Sequence, residues 1–377
     1  MCDVDRAHRQ VARRLVEDTY ATQAGAALYR GCAEYNNLEE ILVRSDIDAV
    51  VVATPNHWHA LATVLAAQAG KHIYCEKPAA TSIPEGRAMV EAVRRAGVVC
   101  QIGSQQRSWP SYQHGIDLIR NGYLGTISRV RVHMPGGYNT THSTPVPTGP
   151  ETIPDGFDYD RWLGPIAELP YRAARCHYNW RFSFETSGGD MEDWVGHNYD
   201  SMTVALGLTA TQPVAIRKAS ATFITNHPIY NTAASLEFEA VYPNGTVVEC
   251  SNRFREIRIE GTEGWVEMSR GGNTYSSKAL QQVVIPPNRQ ILGAGNKLPA
   301  HYEHMENFLT CVRSGARPRC PIDEAHNSAA VCHLANAAFR SGCKEFAWDP
   351  FSETVIDAPA VGRLLTRTFR SPWTLPT

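Results

Sequence analysis

Asp193, His197 and Asp200 stand at i, i+4 and i+7 within the stretch Gly188 to Asp200. A helix over this stretch puts all three on one stripe. A carboxylate one turn from an imidazole orients the ring, fixes its tautomer and raises its basicity. That is the minimum equipment for moving a proton on and off a hydroxyl. The same spacing also suits a surface polar cluster, or two ligands of a metal ion. No third ligand is evident, so no metal is expected. Gly188 and Gly189, just ahead of the stripe, let a ligand approach the backbone closely.

These groups need a scaffold, and the first half of the chain supplies an alternating one. Arg6 to about Thr19 has a charged amphipathic helical pattern. Asp48 to Thr54 is apolar on both faces, as buried parallel strands are. Pro55 to His59 reads as a loop, and Ala60 to Ala69 as a helix stopped by Gly70. Lys71 to Cys75 is the next strand, ending in Glu76-Lys77-Pro78. A helix opening at Ser82 or Pro84 runs to Gly97, and Val98 to Ile102 is a further strand. Strands alternating with helices predict a parallel sheet with right-handed crossovers. Ligands of such sheets sit at the carboxyl ends of the strands. Asp3, His57, His59, Lys77 and Gln105 all fall at or just past those ends.

Bulk properties exclude several classes. The formal net charge is −2, and no basic run suggests nucleic acid. No apolar stretch approaches the roughly 18 residues needed to cross a bilayer. The 10 cysteines are scattered without a C-x-x-C pair, against zinc ribbons or a disulfide framework. Charged residues follow Met1 at once, so no signal peptide is expected, and the cytoplasm is the expected compartment. A length of 377 residues suggests two domains.

A dinucleotide-binding unit needs a strand, a G-x-G-x-x-G turn and a helix whose N-terminus takes the pyrophosphate. None precedes Asp3. The chain opens where a second strand should end, at the place of the acid that accepts hydrogen bonds from the adenosine ribose. It therefore reads as starting one strand, one glycine loop and one helix late. A late assigned start and a cofactor-free fragment acting as a binding or assembly subunit both fit that pattern.

Four segments together resemble the Gfo/Idh/MocA oxidoreductases, the glucose-fructose oxidoreductase and inositol dehydrogenase group. They are Cys2-Asp3-Val4-Asp5, Ala53 through His59, Cys75-Glu76-Lys77-Pro78, and Gly188-Gly189 through Asp193, His197 and Asp200. Trp162-Leu163-Gly164-Pro165 and the tail from Asp349 to Trp373 are similar to a bacterial branch. The resemblance implies a Rossmann-type domain, incomplete at its start, over residues 1–106. It implies an α+β domain with an open, mainly antiparallel sheet over 107–377, C-terminal helices packing back on the core. It also implies NAD-dependent oxidation of a secondary hydroxyl on a sugar, cyclitol or polyol. Asp3 would hold the ribose, its charge favouring NAD over NADP. Thr54, Pro55, His59, Glu76, Lys77 and Gln105 would line the cofactor. Lys77, Asp193 and His197 would do the chemistry, with Asp193 orienting the imidazole and Lys77 steadying the alkoxide. Some relatives are NAD-dependent glycosidases with similar catalytic residues, which is the alternative activity.

Past Gln105-Gln106-Arg107 the pattern changes. Tyr112 to Asn121 is helical and Ile127 to Met134 alternates like a strand. A Gly/Pro/Thr-rich stretch from Pro135 to Pro154 is long enough for a lid or an excursion over a partner. Trp162, Tyr178, Trp180 and Arg181 precede the Asp/His stretch. They fit a wall that stacks on and bonds to a sugar, or aromatics that pack the two domains together. Strands are expected at 214–221, 233–242, 246–251, 255–260 and 264–268, with a hairpin turn at Pro243-Asn244-Gly245. Helices are expected at 301–313 and 324–340. A homo-oligomer through the C-terminal sheet is implied by the resemblance.

Overall fold

The computed structural model describes residues 1–23, 31–138, 146–293 and 298–375. The first half contains α1 (Arg6–Gln23), α2 (Leu38–Leu42), β1 (Ala49–Val52), α3 (Asn56–Gln68), β2 (His72–Cys75), α4 (Ile83–Ala96) and β3 (Cys100–Ile102). The three strands form a parallel sheet in the order β1-β2-β3. Val50 pairs with Ile73, and Cys75 with Ile102. Ile73, Cys75 and Ile102 are fully buried between helices, which is why these strands are apolar on both faces. α4 turns Met89 and Val93 into that core and ends at Gly97, whose φ of 65° suits a left-handed cap. α3 starts four residues earlier than its apolar pattern suggests. Pro55 caps it, and Asn56 through His59 form its first turn rather than a loop. Cys2 makes a single parallel bridge to Tyr35. Among the described residues no strand pairs with the outer edge of β1, where Val51 is 58% exposed.

The second half is built on one large sheet. It contains α5 (Pro110–Arg120), β4 (Ile127–His133), α6 (Tyr159–Leu163), α7 (Asp190–Trp194), α8 (Asp200–Leu206), β5 (Ala215–Phe223) and β6 (Ala233–Val241). There follow β7 (Val247–Ser251), β8 (Ile257–Gly261), β9 (Gly264–Met268), β10 (Thr274–Tyr275) and α9 (Lys278–Gln281). The chain ends with α10 (Ala300–Ser314), α11 (Ile322–Ser341), β11 (Phe346–Asp349), β12 (Thr354–Val355) and α12 (Pro359–Gly362). The sheet order is β10-β9-β8-β4-β7-β6-β5-β11-β12. Every pairing is antiparallel except β4 with β7. The expected open antiparallel sheet is present. The edge strands β10 and β12, and β11 beside β12, escaped the sequence pattern because they are too short to alternate visibly.

The sheet is apolar on one face and charged on the other. Val132, Phe238, Val248 and Ile259 bury into a core shared with α5, α8 and α11. The opposite face carries cross-strand ion pairs such as Arg129–Glu249 at 2.7 Å and Lys218–Glu239 at 2.6 Å. α11 is buried along most of its length, polar residues such as His326 and Asn336 included, because it serves two cores. Ile322 and Ala325 pack on the parallel sheet, while Leu334 and Ala338 pack on the large one. Beside it, fully buried Arg107 grips Asp200 through two hydrogen bonds of 2.7 Å and Glu324 through one of 2.6 Å. This clamp joins the turn after β3 to α8 and α11. Of the long Pro135–Pro154 stretch, residues 139–145 lie outside the described residues.

Candidate active site

β2 ends at Cys75, and the next residues turn across the carboxyl edge of the parallel sheet. Gln105 ties this edge together by donating to Tyr74 Oη at 3.0 Å and Glu76 Oε1 at 2.9 Å. Burial pushes the Glu76 carboxyl up, with Lys77 pulling it back. Lys77 then projects towards the second half. Its Nζ donates to Asp193 Oδ1 at 2.8 Å and to the Asp193 carbonyl at 2.9 Å. Both side chains are nearly buried, at 12% and 14% exposure, so the pair is poorly screened.

The Asp/His stretch is not one regular helix. α7 carries Asp193, a π-helical turn spans Val195–Tyr199, and α8 begins at Asp200. A π turn closes hydrogen bonds to i+5, so residues four apart no longer superpose. The single stripe is therefore lost, and the three side chains go to three places. Asp193 serves Lys77 and also accepts from Arg181 Nε at 3.3 Å. Asp200 is fully buried on Arg107. His197 takes neither carboxylate. It lies edge-on to Trp194 with ring centroids 5.7 Å apart, and its Nδ1 is buried without a partner among the described residues. Burial, then the positive charges of Lys77 and Arg270, hold the His197 imidazole well below its usual range. At neutral pH it is an uncharged proton acceptor.

The glycines act on the protein's own groups. A Cβ on Gly196 would lie 2.7 Å from Lys77 Cβ, so only glycine lets the lysine cross the π turn. A Cβ on Gly188 would lie 2.4 Å from Glu192 Oε2. Gly188 thus makes room for Glu192, and Gly189 allows a φ of 87°.

Other expected site residues divide. His59 is 1% exposed, and both ring nitrogens sit on carbonyls, Nδ1 on Pro78 at 2.7 Å and Nε2 on Thr54 at 2.9 Å. It therefore lies between the Thr54-Pro55 turn and the one after Lys77, and its neutral ring donates to one of the two carbonyls. His57 Nε2 lies 2.8 Å from the Trp162 carbonyl, and burial pushes its imidazole down to about 4. Trp162 itself is 4% exposed, packed with Phe157, Tyr159 and Trp180. Its carbonyl accepts from Trp58 Nε1 at 3.0 Å and its ring lies edge-on to His57, so it meets the first half as well as its own cluster. Trp180, 8% exposed, belongs to the same cluster. Its ring and that of half-exposed Tyr178 flank the Arg181 guanidinium, 4.3 and 4.6 Å from the two centroids. Of the four expected wall residues, Arg181 reaches the lysine's partner Asp193, and Tyr178 and Trp180 stand beside Arg181. Asp3 sits at the end of the Cys2–Tyr35 bridge, its Oδ1 accepting from Asp5 N at 2.8 Å. Sequence reasoning missed Arg270, Trp109 and Trp194, because residues 76–270 must fold before they meet. Only the indoles so near Gln105 and Asp193 hinted at them.

Two family models cover nearly the whole chain. One, described as an oxidoreductase family with an NAD-binding Rossmann fold, matches residues 5–104. The other, its C-terminal alpha/beta domain, matches residues 114–375. The scyllo-inositol 2-dehydrogenase (NAD(+)) of Bacillus subtilis (strain 168) is 38% identical over 317 residues, 80% of this chain and 78% of that protein. The 1,5-anhydro-D-fructose reductase of Ensifer adhaerens is 36% identical over 113 residues, 30% of this chain and 32% of its own length. An aldose-aldose oxidoreductase from Caulobacter crescentus, complexed with glycerol, shares the fold. Its TM-score is 0.61 at 21% identity, covering 88% of each chain. So does a levoglucosan dehydrogenase in complex with NADH and levoglucosan, at a TM-score of 0.60 and 19% identity, covering 95% of this chain and 89% of that one. A parallel Rossmann sheet, an open antiparallel sheet and both halves of the sequence agree, and the chain belongs to the Gfo/Idh/MocA oxidoreductase family.

Proposed function

We propose that this protein oxidises a secondary hydroxyl of a sugar, cyclitol or related polyol with NAD as the hydride acceptor. The observation that carries this reading is the Lys77–Asp193 pair, 2.8 Å apart at the carboxyl edge of the parallel sheet, beside a neutral imidazole. The residues fit the nicotinamide end of the cofactor. Lys77 offers a cation there, and the unpartnered Nδ1 of buried His197 is suited to a site that draws its partner from a ligand. Asp3 fits the adenosine ribose and, through its charge, NAD over NADP. Thr54, Pro55 and Glu76 would frame the same edge.

NAD, when bound, supplies the hydride acceptor. His197 takes the hydroxyl proton as its uncharged ring becomes imidazolium. The Lys77 ammonium steadies the negative charge growing on that oxygen, in a site with little water to screen it. Asp193 fixes the ammonium by a charge-assisted hydrogen bond, and Arg181 fixes Asp193. On this reading, residues 1–106 hold the cofactor and residues 107–377 the substrate. The outer face of the large sheet would join copies into an oligomer.

The test is NADH formation on a panel of inositols, hexoses and anhydrosugars, with calorimetric titration of NAD alongside. Lys77→Ala and His197→Ala should each lower kcat/KM by about 100-fold or more on the best substrate. Full turnover by either variant would refute the assignment. Release of an aglycone without net NADH would favour the glycosidase chemistry instead.

A further inference from the structure

The loop between β9 and β10 brings Arg270 to the active site, and its position is built rather than incidental. Ser111 Oγ donates to the Ser269 carbonyl at 2.7 Å, Trp109 Nε1 donates to the Arg270 carbonyl at 3.1 Å, and Asn273 Nδ2 donates to the Ser111 carbonyl at 2.6 Å. The guanidinium carbon lies 5.6 Å from the Trp109 ring centroid and 5.0 Å from that of Trp194. Trp194 in turn touches His197. The indoles fix the guanidinium plane and leave its edges to make hydrogen bonds. Nη2 spends one donor on Gln106 Oε1 at 3.1 Å.

Arg270 is exposed, and its charge partly offsets the rise that burial causes in the Glu256 carboxyl, but it makes no ion pair among the described residues. Among the described residues no carboxylate lies within 4.0 Å of Arg270, although Arg107, Arg129, Arg131, Arg258 and Arg319 each hold one. A planar guanidinium with free, fixed donors matches a carboxylate bidentately. Its charge also reaches His197, where it helps keep the imidazole neutral. An anion bound there would therefore lie within electrostatic reach of the base.

We propose that the substrate is a sugar acid, and that Arg270 binds its carboxylate while Lys77 and His197 act on a hydroxyl of the same molecule. The inference rests on the oxidoreductase reading above and narrows its substrate class. A phosphate ester could use the same donors, so the test separates the two.

Turnover with saturating NAD is measured on matched pairs: galactose and galacturonate, glucose and glucuronate, glucose and glucose 6-phosphate. Wild type, Arg270→Gln and Arg270→Lys are compared. A uronate should exceed its neutral partner in kcat/KM by about 10- to 100-fold, the worth of a paired charged hydrogen bond. Arg270→Gln should collapse that ratio through KM, and Arg270→Lys should restore part of it. A ratio that Arg270→Gln leaves unchanged, or a preference for the neutral or phosphorylated sugar, overturns the proposal. If no sugar gives NADH, the oxidoreductase reading fails separately, and titration with galacturonate then decides the site. Heat seen with wild type and lost in Arg270→Gln supports it, and no heat with wild type overturns it.

Discussion

Asp200 tests whether the Asp-His-Asp spacing is one catalytic stripe or two unrelated devices. Its carboxylate is 1% exposed and holds Arg107 by two hydrogen bonds of 2.7 Å, with Ser328 Oγ donating at 3.0 Å. Asp200→Asn keeps the shape and removes the charge. The buried guanidinium then keeps the amide oxygen, Glu324 at 2.6 Å and the Arg319 carbonyl at 2.8 Å, but one of its donors faces the new amide NH2 and the balancing charge at Asp200 is gone. Breaking a buried pair from one side costs about 3–5 kcal/mol, and the surviving Glu324 contact places this variant near the lower end. Arg107→Met leaves Asp200 buried with a hydroxyl as its remaining side-chain partner, so the upper end is expected. Removing both charges leaves nothing stranded. The double variant should therefore cost at least about 2 kcal/mol less than the sum of the single ones. Guanidinium denaturation at pH 7.5, followed by tryptophan fluorescence and far-UV dichroism, measures all three. A cost under about 1 kcal/mol for Asp200→Asn, or strict additivity in the double variant, would refute the clamp. A changed pH–rate profile with unchanged stability would return Asp200 to the catalytic stripe.

Three further outcomes follow from the same geometry. Gly196→Ala puts a methyl 2.7 Å from Lys77 Cβ. Turnover should fall by about 100-fold for a displacement of order 1 Å, at a stability cost of about 1–3 kcal/mol. An unchanged kcat would show that Lys77 does not depend on this crossing. Trp162→Ala should cost about 3–5 kcal/mol of stability while leaving KM within about threefold, because the indole is buried among Phe157, Tyr159 and Trp180 and lies edge-on to His57 of the first half. A large rise in KM with stability intact would restore it to the substrate wall. Acid should weaken the fold from pH 6.5 downward. Burial pushes His57 down to about 4 and His304 and His333 to about 3, so each stabilises the fold above pH 6.5 and loses that contribution as the unfolded imidazole protonates. Burial raises Glu192 to about 7, so it runs the other way, stabilising at low pH and losing this as pH rises. Between pH 6 and 5 these four groups sum to a net loss of about 2 kcal/mol, readable as a shift in denaturation midpoint. A midpoint that rises over that interval would contradict the burial assignments.

The parallel sheet was legible because β2 and β3 are buried on both faces and all three strands are largely apolar, and Ala49–Val52, His72–Cys75 and Cys100–Ile102 sit inside the expected runs. The hairpins of the large sheet were legible for a related reason. Their two faces meet different surroundings, so side chains alternate, and glycine turns close them. Lys77 was placed by sequence at the end of β2, since local chain direction alone puts it there.

The partner of Lys77 was not legible. Asp193 lies 116 residues away, and spacing assigned it to His197. The π turn broke that spacing, and a turn type so rare leaves no periodicity to detect. The burial of His59 and Trp162 was not legible either. Composition shows that a histidine or tryptophan can bond or stack, but only packing decides whether its polar atoms meet a ligand or a backbone carbonyl. Arg270 was invisible for the same reason, being an ordinary loop arginine until Trp109 and Trp194 close on it. The sequence by itself determined the elements, their order and the lysine at a strand end, because those depend on local periodicity and chain direction. The tertiary structure decided which charge meets which, because electrostatic pairing depends on distance and burial, and neither is a property of neighbours in sequence.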